Sequence, residues 1–225
     1  MSIENNIENI KNLVKLSAQK SGRDIDDITI IAVTKTRTVD EINEAVSLGL
    51  THLGENRVQE LIQKYDHIKG DVTWHLIGHL QRNKVKYIAD KVAMIHSVDT
   101  LDLAKEIDRQ AKKHGRVIDV LVEINVSGEE SKSGISPSEV FEFMAEVSPL
   151  SNIKVRGLMT MAPLGAPEDV IRDVFSGLSK ISIDISEKKY DNISMDYLSM
   201  GMSNDFPLAI EEGSNMVRIG TALFK

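Results

Sequence analysis

The sequence predicts an α/β protein, a (β/α)8 TIM barrel with an extra N-terminal helix. Apolar, β-branched runs that are typical of buried strands alternate with amphipathic helical patterns, at a spacing of roughly 20 to 35 residues. Eight such runs occur, and 225 residues is close to the smallest length for a barrel of eight units. This pattern suits a closed barrel better than a doubly wound sheet. Since no linker or repeat interrupts it, we expect residues 1–225 to form one domain.

The elements can be assigned in chain order. The segment MSIENNIENIKNLVKLSAQ predicts an amphipathic helix, which would cap the bottom of the barrel or pack on its outside. The predicted strands are residues 28–34, 50–54, 73–78, 94–98, 117–125, 154–161, 197–202 and 216–220. The predicted helices between them are residues 39–47, 57–67, 81–89, 100–114, 137–147, 167–188 and 204–212. Their regular alternation predicts a parallel sheet with helices around it.

Composition excludes several classes of protein. A net charge of -7 and a pI near 5.4 argue against a nonspecific nucleic-acid binder, which needs clustered positive charge. The absence of cysteine excludes disulfides, thiolate nucleophiles and cysteine-based zinc sites, and it fits a reducing cytoplasm. The N-terminus lacks an export signal, and no apolar run is long enough to span a membrane. We therefore expect a cytoplasmic monomer that binds neither nucleic acid nor membrane.

No metal site is expected either. His75 and His79 are four residues apart, but they straddle a predicted strand and the loop after it rather than one helix. No carboxylate at helical spacing completes a ligand set.

Lys35 directly follows the first predicted strand, in the stretch ITIIAVTKTRT. Lysine is rarely buried unless it is paired or reactive, so Lys35 either extends from the strand end into water or takes part in chemistry there. Barrel enzymes carry their active sites at the carboxyl ends of the strands, which is where Lys35 lies.

The ends of strands seven and eight carry small and polar residues. Loops after these two strands commonly bind phosphate in barrel enzymes. Ser203 in GMSND could simply cap the next helix, and Gly220 before Thr221 could simply turn the chain, but the two features together favour a phosphate site. Arg218 shares a strand face with Gly220 and could form a structural ion pair or donate to a ligand.

A lysine, a phosphate site and an inward arginine together describe a pocket for pyridoxal 5'-phosphate (PLP). The sequence also resembles a known family, almost from end to end and in order. The stretches that carry the resemblance are AVTKTRTVDEINEAVSLGLTHLGENRVQEL, WHLIGHLQRNKVKYI, IHSVDTLDLAKEID, VLVEINVSGEESKSGI, VRGLMTMAP and LSMGMSNDFPLAIEEGSNMVRIGTALF. They are similar to the pyridoxal phosphate homeostasis protein family, relatives of the alanine racemase N-terminal barrel, which has the type III fold of PLP enzymes.

The resemblance implies a role for each candidate residue. Lys35 resembles the lysine that forms the Schiff base, and Arg218 the partner of the pyridine nitrogen. The residues implied as phosphate contacts are Ser203, Gly220 and Thr221, and those implied as further pocket residues are Asn56, His79 and Met200.

The resemblance implies a non-enzymatic protein that carries or stores PLP, with PLP-requiring apo-enzymes as its expected partners. The alternative is a PLP-dependent amino-acid racemase, which would need a second acid or base across the substrate. In alanine racemases a tyrosine from an additional C-terminal domain has this role. Because the chain ends soon after strand eight, we expect that domain to be absent, and Tyr197 at the predicted start of strand seven is no substitute. A third interpretation is a barrel that binds another phosphate.

Overall fold

The computed structural model describes residues 2–129 and 132–225 and contains the predicted closed barrel. Eight parallel strands follow one another in chain order around the barrel, and the last pairs with the first. The strands are β1 Thr29–Val33, β2 His52–Glu55, β3 Thr73–Leu76, β4 Met94–Val98, β5 Ile118–Glu123, β6 Ile153–Met159, β7 Ile193–Met202 and β8 Met216–Ile219. The prediction of a (β/α)8 barrel is confirmed.

Helices cover the outside of the barrel. The α-helices are α1 Ile3–Lys20, α2 Val39–Ser47, α3 Val58–Tyr65, α4 Leu101–Lys113, α5 Val140–Val147, α6 Glu168–Ser186 and α7 Phe206–Glu211. Short 3-10 helices span Ile25–Asp27, Arg82–Tyr87 and Pro137–Glu139. Among the described residues, no helix is both long enough and apolar enough to cross a membrane.

The extra N-terminal helix packs on the outside of the barrel, which decides between its two predicted positions. Helix α1 begins after Ser2, whose side chain caps it by accepting from the Asn5 backbone N–H. It packs against α7, and the Asn6 side chain donates to the carbonyl oxygens of Leu223 and Lys225 at 3.0 and 2.8 Å. These hydrogen bonds hold the segment after β8 in place.

The largest differences from the sequence prediction are in two elements. The segment between β3 and β4 forms a 3-10 helix rather than an α-helix, because its buried Val85 and Ile88 are three residues apart and share a face at three residues per turn. Strand β7 begins at Ile193, four residues before the predicted start. The polar Asp196 hides this extension in the sequence, although its carboxylate pairs with Arg156 on β6 at 2.6 Å.

The barrel has an inner and an outer apolar layer. A large cluster fills the space between the strands and the helices, and a smaller one inside the barrel consists of Ile31, Met94, Leu121, Met159 and Met216. Because side chains alternate between the two faces of a strand, the inner cluster also shows which residues further along each strand face the barrel axis. On β1 this is Val33, and Lys35 follows two residues later in the turn after the strand.

Candidate functional site

A cavity of about 540 Å³ opens at the carboxyl ends of the strands. Six of the eight predicted site residues line it: Lys35, Asn56, Ser203, Arg218, Gly220 and Thr221. They come from the ends of β1, β2, β7 and β8, which lie side by side because β8 closes the barrel against β1. The barrel topology thus brings together residues that are far apart in sequence.

Lys35 lies in a tight turn at the rim of this cavity. The turn is closed by the Arg37 backbone N–H, which donates to the Thr34 carbonyl oxygen at 3.0 Å. Thr36 has a φ of +62°, in the left-handed region that a β-branched residue rarely adopts. Among the described residues, no carboxylate lies within ion-pairing distance of the exposed Lys35 ammonium. This amine is therefore free to meet a ligand.

A buried ion pair supports the turn from behind. The Lys64 ammonium on α3 lies 2.7 Å from the Glu55 carboxylate and donates to the Thr34 carbonyl oxygen at 2.8 Å. The Thr34 hydroxyl donates to the same carboxylate at 2.7 Å. On the other side of Lys35, the Thr36 backbone N–H donates to Glu60 at 2.9 Å, which is the main reason that the pKa of Glu60 is lowered. Both neighbours of Lys35 are therefore fixed by charged groups.

Backbone N–H groups of the segment after β8 converge on one point of the cavity wall. The Gly220 and Ala222 N–H groups donate to the Ser203 hydroxyl oxygen at 3.3 and 3.4 Å. A Cβ on Gly220 would lie 3.1 Å from the Val33 Cβ, so only glycine fits there without displacing β1. The hydrogen bonds from these two donors to the hydroxyl are long and therefore weak. Two converging N–H donors would bind an anionic oxygen more strongly.

Ser203 is not a helix cap. Helix α7 begins at Phe206, two residues after the predicted start at residue 204, and its N-cap residue is Asp205. The Ser203 hydroxyl instead connects the segments after β7 and β8. The helix-cap interpretation is therefore wrong, and the two backbone donors observed at this point belong to Gly220 and Ala222.

Arg218 is only 4% exposed and reaches the inner wall of the barrel from β8. Its Nη1 donates to the Ser199 carbonyl and hydroxyl oxygens, both at 2.7 Å, and its Nη2 donates to the Thr160 carbonyl at 3.0 Å. Burial lowers the pKa of the guanidinium to about 10, opposed by Glu123 and Asp205, so it remains cationic at neutral pH. No described carboxylate pairs with it directly, so the expected alternative of a structural ion pair does not occur there.

Two carboxyl groups near Arg218 were missed by sequence reasoning. Burial, assisted by the negative charge of Asp99, raises the pKa of Glu123 to about 7. Burial also raises the pKa of Asp205, which lines the cavity. Strand alternation from the inward Leu121 was the available signal for Glu123, because it places residue 123 on the same face.

Asn56 presents an unsatisfied polar atom. Its side-chain oxygen is buried and has no hydrogen-bond partner among the described residues, although the residue lines the cavity. Gly78 packs closely against the Asn56 backbone, since a Cβ added to Gly78 would lie 2.4 Å from the Asn56 carbonyl oxygen. A buried amide oxygen without a partner costs stability, and a bound ligand with a donor could satisfy it.

The structure does not bring His79 and Met200 into the cavity. The His79 side chain is 62% exposed, lies 3.8 Å from Asp99, and faces a separate surface hollow. Met200 is fully buried in the outer layer, whereas the neighbouring Ser199 faces the inside of the barrel, where its hydroxyl accepts from Arg218. The neighbouring residues Ile77 and Met202 line the cavity instead.

One wall of the cavity was not recognised in the sequence. The segment 162–166 after β6, together with Ile171 of α6, forms this wall. Its sequence APLGA indicates only a turn, and nothing in its apolar composition points to a ligand.

The comparisons with known proteins establish the family of this chain. A family model described as alanine racemase, N-terminal domain, matches residues 2–225. The pyridoxal phosphate homeostasis protein of Aquifex aeolicus is 45% identical over 213 residues, which cover 94% of this chain and 92% of that protein. The protein of the same name from Escherichia coli K12 is 36% identical over 99% of this chain and 95% of its own length. The chain belongs to the pyridoxal phosphate homeostasis protein family.

Solved structures of similar proteins extend this comparison. PipY of Synechococcus elongatus, solved with PLP bound, superposes with a TM-score of 0.88 at 31% identity, and each chain is covered completely. PipY solved without PLP gives a TM-score of 0.90 at 32% identity, with the same coverage. An alanine racemase of Clostridium difficile gives a TM-score of 0.75 at 19% identity and covers 98% of this chain but 56% of its own. That last likeness shows that the fold is shared with alanine racemases.

Proposed function

We propose that this member of the pyridoxal phosphate homeostasis protein family binds PLP as a Schiff base with Lys35 and acts in PLP homeostasis as a carrier or reservoir. The observation that supports this best is the convergence of the Lys35 amine, the Gly220 N–H group and the Arg218 guanidinium on one cavity. Its volume of about 540 Å³ lies in the range of small-molecule sites. PLP bound to the similar PipY is in accord with the proposal.

Each side chain has a distinct task in this proposal. When bound, PLP supplies an aldehyde, which condenses with an amine to give an imine and water. The Lys35 amine provides the nitrogen, and the Gly220 and Ala222 N–H groups with the Ser203 and Thr221 hydroxyls hold the phosphate. The unpartnered amide of Asn56 offers a further polar contact. We retain His79 and Met200 only as neighbours of the site, since neither lines the cavity.

The permanent charge of Arg218 argues for binding rather than turnover. A guanidinium that faces the pyridine nitrogen disfavours protonation of that nitrogen, which makes the ring a weak electron sink. Amino-acid chemistry on PLP depends on that sink. The side chain of Arg218 therefore suits retention of the group better than catalysis.

The alternative function, an amino-acid racemase, needs a second acid or base in the cavity. Among the described residues that line it, the ionisable groups besides Lys35 and Arg218 are Asp205 and Lys225, and none is a tyrosine. Tyr197 lies in the middle of β7 beneath the Arg156 guanidinium, which is 5.1 Å from its ring. We therefore favour the carrier, acting as a cytoplasmic monomer on PLP-requiring apo-enzymes.

The decisive experiment is a visible spectrum of the PLP-loaded protein before and after borohydride reduction, followed by peptide mass mapping of the labelled lysine. We expect the label on Lys35 and its absence in Lys35→Ala, whose fold should persist because the side chain is exposed. Lys69→Ala, at another exposed lysine position, is the control for surface labelling. A label on a different lysine in the parent protein would overturn the assignment, and measurable racemisation of alanine would favour the enzyme.

A further inference from the structure

A chain of hydrogen bonds crosses the inside of the barrel and ends at Arg218. His52 Nδ1 lies 3.0 Å from His75 Nε2, and His75 Nδ1 lies 3.0 Å from His96 Nε2. His96 Nδ1 lies 2.9 Å from the Ser199 hydroxyl, which accepts from Arg218 at 2.7 Å. The three histidines stand on the neighbouring strands β2, β3 and β4, whereas Ser199 and Arg218 stand across the barrel on β7 and β8.

Arg218 fixes the direction of this chain. A guanidinium can only donate, so the Ser199 oxygen accepts from it, and the Ser199 hydrogen remains to be donated. His96 Nδ1 is the acceptor within reach. Each imidazole that accepts at Nδ1 carries its proton at Nε2 and donates to the next ring, so all three histidines adopt the Nε2–H tautomer.

The opposite direction leaves a buried group unsatisfied. If His96 donated from Nδ1, Ser199 would accept twice and its own hydrogen would have no acceptor, although the residue is completely buried. Buried hydroxyl donors without partners are costly, so the direction set by Arg218 is the stable one.

The chain works only with neutral imidazoles, because a protonated ring donates at both nitrogens and accepts at neither. Burial is the main reason that the pKa of His75 is lowered to about 3, and the neighbouring His52 lowers it further. Burial, His75 and Arg218 hold the pKa of His96 well below its usual value. The carboxyl groups that influence Arg218, namely Glu123 and Asp205, form no ion pair with any of the three rings among the described residues.

The rings are not a metal site. Successive nitrogens lie at hydrogen-bond distance, and no group of three or more histidine, cysteine, aspartate or glutamate residues in the described part of the chain could hold a metal ion. The three rings lie in a row, each hydrogen-bonded to the next, and do not surround a common point that a metal ion could occupy.

We propose that His75, His96 and Ser199 are positioning residues of the cofactor site, which hold the Arg218 guanidinium in place through a hydrogen-bond chain of a single direction. This inference rests on the proposed function of the cavity. The chain restrains the Arg218 guanidinium, which has no ion pair among the described residues, at Nη1, the nitrogen that also donates to the Ser199 carbonyl oxygen. His52, the partly exposed ring at the other end, terminates the chain with an Nε2–H donor.

The first test is the tautomeric state of the histidines in the PLP-free protein, measured by nitrogen-15 NMR. We expect His75 and His96 to show a protonated Nε2 and an unprotonated Nδ1, unchanged between pH 6 and pH 8. In Ser199→Ala, the His96 signals should lose this preference, whereas in Ser97→Ala they should keep it. Ser97 is the matched control because it is also fully buried but donates to Gly78 outside the chain. Protonation at Nδ1 in the parent protein would overturn the proposed direction.

The second test measures binding of PLP. Losing one hydrogen bond to Arg218 should weaken binding about three- to tenfold in Ser199→Ala and shift the absorption maximum of the bound group, with neither effect in Ser97→Ala. His96→Asn, which keeps an acceptor near the position of Nδ1, should restore part of the binding that a His96→Leu variant loses. If the parent binds PLP at Lys35 and Ser199→Ala binds it equally well with the same spectrum, the positioning role is refuted. If the parent binds no PLP, the proposed function is refuted. The NMR result alone then tests the direction of the hydrogen-bond chain.

Discussion

The Lys64 ammonium lies 2.7 Å from the Glu55 carboxylate, in a buried pair behind the turn that presents Lys35. The Glu55 side chain is completely buried, and its second oxygen has no partner among the described residues. A buried charge is tolerated when it is paired with an opposite charge. Removing one member of the pair would leave the other as an unpaired buried charge, which destabilises the fold. Because Lys64 also binds the Thr34 carbonyl, the pair links the stability of the fold to the position of the reactive amine.

Removing one member of this pair should therefore be much more harmful than removing both. We expect Lys64→Met to destabilise the protein by about 3 to 5 kcal/mol, because it strands the Glu55 carboxylate. The double variant Glu55→Gln with Lys64→Met should recover much of that loss in urea unfolding. Equal stability of the single and double variants would contradict the prediction. Lys11→Met is a control at an exposed lysine, where we expect a change within about 0.5 kcal/mol.

Thr36 carries backbone strain next to Lys35. Its φ of +62° should cost about 1 to 3 kcal/mol for a threonine, whereas glycine adopts it freely but loses about 0.5 to 1 kcal/mol through a more flexible unfolded chain. We expect Thr36→Gly to raise the unfolding free energy slightly and to slow the capture of PLP, since the turn becomes less rigid. Stopped-flow absorbance with equilibrium unfolding separates the two effects. A less stable variant would show that Thr36 is not strained.

Ser203 should matter for the phosphate and not for the helix that follows. Loss of one hydrogen bond to a charged group is worth about 1.5 to 3 kcal/mol, so Ser203→Ala should weaken PLP binding about tenfold to hundredfold. Its melting temperature without PLP should fall only slightly, because Ser203 does not cap α7 and its hydroxyl accepts only two long hydrogen bonds, at 3.3 and 3.4 Å. Thr221→Val is expected to weaken binding in the same way. A lower melting temperature with unchanged binding of PLP would refute the prediction.

The buried ionisable groups predict a characteristic pH dependence of stability. The pKa of Glu123 is raised from 4.5 to about 7. Between these two pH values, the folded protein therefore holds a proton that the unfolded chain has already released. This group therefore destabilises the fold as the pH rises through that window. The pKa of His75 is lowered from 6.5 to about 3, so the unfolded chain takes up a proton below pH 6.5 and the fold loses stability as the pH falls.

Glu123→Gln removes only the first effect. Relative to the parent protein, the variant should gain about 2 to 3 kcal/mol in unfolding free energy between pH 5 and pH 8. Urea unfolding at both pH values provides the measurement, and the exposed Glu142→Gln is a control that should show no such gain. A pH-independent difference between the variant and the parent would place the pKa of Glu123 near its ordinary value.

The sequence predicts the barrel well because each strand and helix has a local hydrophobic pattern. It also predicts Lys35, Arg218 and Gly220 in the cavity, since strand alternation and the barrel rule place residues at strand ends on the rim. It fails for Met200 because a shift of one position along β7 exchanges the inner and outer faces. It fails for His79 because the direction in which a loop leaves a strand depends on tertiary packing, here the close contact of Gly78 with Asn56.

The hydrogen-bond chain through the barrel could not be predicted from local patterns. Its members come from five strands, and only the closed geometry places Ser199 opposite His96. The same applies to the raised pKa of Glu123, which depends on burial and on the distance to Asp99 and Arg218 rather than on its neighbours in sequence.

The pairing of β8 with β1 also has a consequence for synthesis of the chain. Lys35 and Arg218 are about 180 residues apart in sequence, and they share a cavity only after the last strand has closed the barrel. At roughly 5 to 20 residues per second, a ribosome needs about 10 to 40 seconds to make the intervening segment. During that time the nascent polypeptide has the amine but neither the guanidinium nor the Gly220 N–H group. Under the proposed function, newly made protein should therefore acquire PLP only after translation.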